Sequence, residues 1–288
     1  MERIDTPPKL PPRGPGAHKG DFGRVCVVAG SLGMSGAAAL VGRSALRSGA
    51  GLVRVATPRD VLPIVASIEP AYTTIPLPQD EQARVSAEAI GPLLDAAEDN
   101  DILAIGPGLG VSTQIKAVLE ILIKQAQLRI VLDADGLNNL ATLKGWHAIA
   151  EARLILTPHP GEMRRLWASV FRRPLPENRE EQAASLAVET HAVVVLKGAG
   201  TVVTDGRSLY VNRTGNPAMA TAGTGDVLTG VITALAGQGL NDLDAAILGV
   251  YIHGLAGDIA AEQLGPVSVM ATDIIEALPR AFQKQQQM

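Results

Sequence analysis

Short apolar runs alternate with longer stretches whose apolar residues recur every three or four positions. Residues 24–29 (Arg-Val-Cys-Val-Val-Ala), 52–57, 72–77, 101–105, 129–132, 153–156 and 192–196 are dominated by Val, Ile, Leu and Ala. Apolar runs of this length predict strands buried on both faces. Between and beside them, residues 60–69 form a short helical segment, and residues 37–48, 83–98, 113–127 and 177–190 carry helical periodicity. Further on, residues 202–205 and 208–212 flank Asp205, Gly206 and Arg207 as a strand pair. Val227, Leu228, Val231, Ile232 and Leu235 then fall at helical spacing, and helices are predicted over 244–263 and 272–282, with a polar tail at 283–287. Alternating strands and helices of this kind predict an α/β fold, a mostly parallel sheet covered on both faces by helices.

Several predicted strands run straight into glycine-rich turns. The strand ending at Ala29 meets Gly30, Gly33 and Gly36, and the one ending at Ile105 meets Gly106, Gly108 and Gly110. The first set is spaced GxxGxxG, which is not the dinucleotide fingerprint, and no GxxxxGK[ST] phosphate loop occurs. In open α/β sheets ligands gather at the carboxyl ends of the strands, so these turns are expected to share one cleft. Lys197, Gly198, Ala199, Gly200 and Thr201 place a cation, three small residues and a hydroxyl after another strand, a set suited to nucleotide phosphates. Asp133 and Asp135 stand two apart at a strand end. One is expected to cap the following helix, the other being open to a Mg²⁺ or nucleotide role. His159 lies between Pro158 and Pro160 and is expected outside regular structure, with ligand contact and a structural role equally open. His253 falls within the 244–263 helix and reads as a packed or solvated residue.

The densest run of small residues is Thr221, Ala222, Gly223, Thr224 and Gly225, just before Asp226 and the apolar helix. Free N–H groups at such a helix start form an anion site. Asp226 in the first turn stabilises the helix dipole, and beside a bound phosphate it can also act as a general base. The stretch alone leaves both roles open.

Composition narrows the partners. The 288 residues suit one large domain, 18–288, behind a Pro-rich arm, 1–17, that is expected either to be disordered or to lie along a neighbouring subunit. With 47% hydrophobic but only 3% aromatic residues, the core must be built from Ala, Val, Leu and Ile. A net charge of −4 without a basic run argues against nucleic acid. A single cysteine, Cys26, excludes a disulfide framework, and no export signal or run of 18 apolar residues is found. A cytoplasmic protein without membrane contact is expected.

Taken in order, His18-Lys19-Gly20, GSLGMSGA (30–37), GPGLG (106–110), DADG (133–136), TPHPGE (157–162), KGAGT (197–201) and GNPAMATAGTGD (215–226) resemble the ADP/ATP-dependent NAD(P)H-hydrate dehydratases of the ribokinase-like superfamily. The GTGD element alone is shared with ribokinase-like sugar and vitamin kinases, which leaves a kinase of a small alcohol or vitamin precursor as the alternative. The resemblance implies a ribokinase-like three-layer α/β/α sandwich that restores NADH and NADPH from their C6-hydrated forms with ADP or ATP as co-substrate. It implies Asp226 as the base toward the C6 hydroxyl, and Gly223, Thr224 and Gly225 as stabilisers of the transferring phosphoryl group. Lys197, Gly198, Ala199, Gly200, Thr201 and Gly225 would bind the nucleotide, while Ala37, Gly108, His159 and Asp226 would line the hydrate site. Mg²⁺ is expected with the nucleotide, with Asp133, Asp135 and Glu162 as candidate ligands. A preference for ADP, a homotetramer, action on the S epimer alone and a separate epimerase as functional partner are further expectations from the resemblance.

Overall fold

Val-, Ile- and Leu-rich runs can bury both faces only inside a sheet flanked by two helical layers, and the chain folds that way. The computed structural model describes residues 1–287. The strands are β1 (Glu2–Arg3), β2 (Arg24–Val28), β3 (Leu52–Pro58), β4 (Thr73–Leu77), β5 (Ile102–Ile105), β6 (Arg129–Leu132), β7 (Arg153–Leu156), β8 (Val193–Leu196), β9 (Val202–Thr204) and β10 (Ser208–Val211). They form one sheet in the order β1-β10-β9-β8-β7-β6-β5-β2-β3-β4. From β8 to β4 all neighbours pair parallel; β9 is antiparallel to both β8 and β10. The chain works outward from β2 to β4, then returns to add β5 on the other side of β2, so a topological switch lies between β2 and β5.

The strand period of two divides the core. In β2, Val25 and Val27 face one layer while Cys26 and Val28 face the other. The first layer holds α1 (Ser35–Arg47), α9 (Thr224–Gly237), α10 (Asp242–Leu264) and α11 (Ala271–Gln286). The second holds α3 (Ile90–Glu98), α4 (Thr113–Ile123), α5 (Asp135–Leu140), α6 (Trp146–Ile149), α7 (Pro160–Val170) and α8 (Arg179–Thr190). The short α2 (Leu62–Ile68) links β3 to β4. α10 is long and apolar enough to cross a membrane, yet 72% of its most apolar window is buried between α9, α11 and the sheet, as a core helix.

Three sequence expectations need correction. The helix expected from residue 83 starts at Ile90, after a single turn at Ala87–Ala89, because the Asp80 carboxylate binds the N–H groups of Gln82 and Arg84 and holds Ala83 at φ 51°. Residues 283–286 continue α11 rather than trailing off, since Ala281 and Gln285 are buried and the Gln285 amide donates to Pro8 O. The N-terminal arm lies on its own chain. β1 pairs parallel with β10, and the Arg13 guanidinium donates to Gly49 O and covers the Phe22 ring.

Helix α9 packs closely on α1 because Gly230 has no side chain; a Cβ there would overlap Val41 O and Ser44 Oγ. Relief requires backbone movement of a helix that carries the candidate site. Gly230→Ala is therefore expected to destabilise the fold by about 2–3 kcal/mol. Urea unfolding checks this, and an unchanged midpoint would refute the close approach.

Candidate active site

The carboxyl ends of the strands on either side of the switch are joined by hydrogen bonds. Gly30 N–H donates to Pro107 O (2.9 Å) and Ser31 Oγ to Gly108 O (2.7 Å), which joins the loops after β2 and β5. Gly108 sits at φ 67°, and a Cβ on it would lie 3.0 Å from the Ala37 Cβ, so these two candidate residues adjoin beside the start of α1. At Gly106 a Cβ would overlap Asp133 O, which brings the β6 loop against the β5 loop.

At the centre is an ion pair. Lys197 Nζ lies 2.5 Å from Asp133 Oδ1, Thr229 Oγ1 donates to Asp133 Oδ2 (2.7 Å), and Glu162 Oε2 stands 4.0 Å from the same ammonium. The Asp133 side chain is 1% exposed and that of Lys197 18%. Burial disfavours the ammonium, but the charges of Asp133 and Glu162 outweigh it and hold the Lys197 pKa above its usual value. The first turn of α9 rests directly on this pair: a Cβ on Gly225 would lie 3.4 Å from Lys197 Nζ and 3.8 Å from Asp133 Oδ2. The N–H groups of Gly223, Thr224 and Gly225 donate to no acceptor among the described residues. With the helix dipole behind them they form an oxyanion-type cradle.

Asp226 follows in that first turn. Burial raises its pKa to about 7; the Asp133 charge pushes the same way, Lys197 opposes, and Asp135 adds to the rise. A carboxyl poised there can take a proton near neutral pH.

The opposite wall comes from the loop after β7. Lys197 N–H donates to Pro158 O (2.9 Å), fixing that loop against the 197–201 turn. His159 lies outside regular structure, as expected, and serves as the N-cap of α7. Its Nδ1 accepts from the N–H groups of Gly161 (2.9 Å) and Glu162 (3.4 Å), while Glu162 Oε2 accepts from His159 N–H (2.8 Å). Desolvation, with the positive charges of Lys197 and Arg165, lowers the His159 pKa, so the ring is neutral with Nδ1 as acceptor. Half its side chain (51%) remains exposed for contact. Burial raises the Glu162 pKa against the pull of Lys197.

The acids considered for Mg²⁺ are engaged within the protein and do not form an all-protein metal cage. Both Asp133 oxygens are taken; Asp135 Oδ2 accepts from Gly110 N–H and Oδ1 from the Asn138 amide; Glu162 is held as described. Among the described residues no group of three His, Cys, Asp or Glu is placed to hold a metal. Nor does either aspartate cap α5. Its N-cap is Ala134, at φ 48°, and Asp135 instead opens the helix and braces the β5 loop.

Two residues were missed from sequence. Thr229, one turn past Gly225, was hidden as a small polar residue in an apolar helix. Arg179, at the start of α8, donates to carbonyls of the 197–201 turn. His253 was read as packed or solvated and is packed: burial lowers its pKa to about 4, and its Nε2 has no partner among the described residues.

Residues 25–280 match the family model described as NAD(P)H-hydrate dehydratase. The chain belongs to this family. A bifunctional NAD(P)H-hydrate repair enzyme of Moorella thermoacetica is 47% identical over 277 residues, covering 94% of this chain and 51% of that protein. The chain thus spans about half the length of the curated relatives it matches. The Bacillus subtilis ADP/ATP-dependent NAD(P)H-hydrate dehydratase, co-crystallised with ATP/Mg²⁺, superposes with a TM-score of 0.81 at 30% identity, covering 96% of this chain and 95% of that one. Thermotoga maritima ribokinase (TM-score 0.56, 17% identity, covering 90% of this chain and all of that one) shares the fold alone, so the family's three-layer ribokinase-like architecture is present here.

Two stability tests follow. Asp133→Asn leaves the Lys197 ammonium without its main counter-charge and should cost about 3 kcal/mol, read by urea unfolding at neutral pH; no loss would mean that the pair does not hold the site. Asp226 has a folded pKa of about 7 against an ordinary 3.8. The folded state therefore retains this proton more strongly, and the wild type loses stability as pH rises through that window. Asp226→Asn has no such loss, so its melting-temperature advantage should widen between about pH 4 and pH 7; a constant difference would contradict the raised pKa.

Proposed function

We propose that this chain is an ADP- or ATP-dependent NAD(P)H-hydrate dehydratase acting on the S epimer. The observation that carries the reading is the carboxyl of Asp226, with its pKa near 7, one residue beyond three N–H groups that have no acceptor among the described residues, and near the Lys197 ammonium. Such a group can accept the C6 hydroxyl proton as that oxygen attacks the terminal phosphorus of the nucleotide, the bridging P–O bond breaks and the nucleotide leaves one phosphate shorter. The Gly223, Thr224 and Gly225 amides then face the charge that develops on the transferring oxygens. Phosphate leaves C6, a proton leaves the neighbouring ring carbon, and the double bond of the reduced nicotinamide returns. Hydroxide is a poor leaving group and phosphate a good one, which accounts for the use of a nucleotide.

In this reading, Lys197, Gly198, Ala199, Gly200, Thr201 and Gly225 bind the nucleotide phosphates. Ala37, Gly108 and His159 line the hydrate site; the first two are small where the loops after β2 and β5 meet, and the third offers a neutral ring edge. Mg²⁺ enters with the nucleotide, held by its phosphates rather than by a protein cage, in keeping with the engaged acids. The preferred nucleotide is ADP. The longer curated relatives are named bifunctional, which supports an epimerase as functional partner for the other hydrate epimer.

Purified protein with NADH hydrate, Mg²⁺ and either nucleotide should regain reduced-nicotinamide absorbance. A stable phosphorylated small alcohol with no recovery would favour the kinase alternative instead. The recovery rate should rise with pH through about 7 as Asp226 loses its proton. Asp226→Asn should lower it by about 10²–10⁴-fold and abolish that rise. A flat wild-type profile or an active Asp226→Asn enzyme would exclude Asp226 as the base.

A further inference from the structure

Arg179 opens α8, directly after its N-cap Asn178, where a positive side chain is unfavourable to the helix dipole. It has no carboxylate partner among the described residues, and desolvation lowers its pKa. Its guanidinium instead donates to four backbone carbonyls: Nη2 to Leu196 O (2.9 Å) and Lys197 O (3.1 Å), Nη1 to Ala199 O (2.5 Å) and Gly200 O (3.2 Å). Gly198 O is occupied as well, accepting from Thr201 Oγ1 (3.0 Å).

The consequence follows from peptide geometry. In a trans peptide, the C=O of one residue and the N–H of the next point in opposite directions, and the chain has no cis bond. The carbonyls of Lys197, Ala199 and Gly200 converge on Arg179, so the N–H groups of Gly198, Gly200 and Thr201 are directed away from it. These three, with that of Ala199, donate to no acceptor among the described residues, and Gly198, Ala199 and Gly200 are exposed. Glycine is needed at Gly198 and Gly200, with φ of 137° and 63°, and a Cβ on Gly198 would stand 3.1 Å from the guanidinium. A turn left to itself has no reason to present successive N–H groups on one side; a half-buried cation that gathers its carbonyls supplies one.

We propose that Arg179 is the positioning residue of the nucleotide site, aligning the 197–201 turn so that its backbone N–H groups form an anion cradle for the diphosphate. The inference rests on the proposed function for the identity of the ligand. Arg179 acts on the phosphate chain through the turn, while its charge adds to the field behind the cradle.

The test separates phosphate from nucleoside. By calorimetry, without hydrate, Arg179→Ala should weaken ADP binding by about tenfold or more and leave adenosine affinity within about twofold. Arg179→Lys keeps the charge but offers one nitrogen to carbonyls that need a fork, so it should show the same ADP-specific loss in a variant less prone to misfolding. In turnover, KM for nucleotide should rise while KM for hydrate stays constant. Equal losses for adenosine and ADP, or undiminished ADP binding in both variants, would overturn the role of Arg179. A wild-type protein that fails to bind ADP would overturn the functional reading and this inference together.

Discussion

Everything at the carboxyl end of the sheet depends on the ion pair between Lys197, just past β8, and Asp133, just past β6. Removing two charges from water is costly, and such a pair persists only when geometry and further hydrogen bonds compensate. Here Thr229 satisfies the second carboxylate oxygen and Glu162 adds a more distant negative charge. The pair thereby ties two strand ends to α9 and to the start of α7. It also sets the charge balance at Asp226, where Asp133 raises the pKa and Lys197 lowers it. Burial tips that balance upward, toward the pH at which a carboxylate makes an effective base.

Close approach is the second constraint. The site is made where backbones meet with no room for side chains. Gly106 lies against Asp133, Gly225 over Lys197, and Gly230 against α1. Glycine at these points replaces a methyl group that would separate the loops by a few tenths of an ångström or more. The scarcity of aromatic residues has the same origin, because helices packed this tightly on a sheet leave space mainly for Ala, Val, Leu and Ile.

Much of the fold was legible because the strands β2, β5, β6, β7 and β8 are buried on both faces, which leaves continuous apolar runs, and because several of their turns are marked by glycine. Asp226 and the 197–201 turn were legible for a related reason: small residues in sequence announce a backbone that something must approach. What escaped notice depends on contacts distant in sequence. Asp133 gave no sign that its partners would be Lys197 and Thr229, so capping or metal binding was the natural expectation. α7 was obscured by the prolines around His159, although Pro160 occupies the first helical turn, where its missing N–H is no loss. Local side-chain competition explains the late start of α3, which the apolar period alone could not reveal.

The charge of the site poses a final problem. Asp133, Asp135, Glu162 and Asp226 gather around one lysine, yet a phosphate-bearing ligand is itself anionic. Side-chain charge, largely cancelled around Lys197, therefore cannot be the main attraction for the phosphates. The solution consistent with the geometry is to place attraction in the backbone: the free N–H groups at the start of α9, reinforced by its dipole, and those of the 197–201 turn. Such donors are fixed by the fold and need no reorganisation as charge develops, unlike flexible surface lysines. The acids are then free to serve other ends. Asp133 keeps Lys197 charged and in place, Asp135 braces the β5 loop, Glu162 closes α7 around His159, and Asp226 is the one left with a proton to exchange near neutral pH.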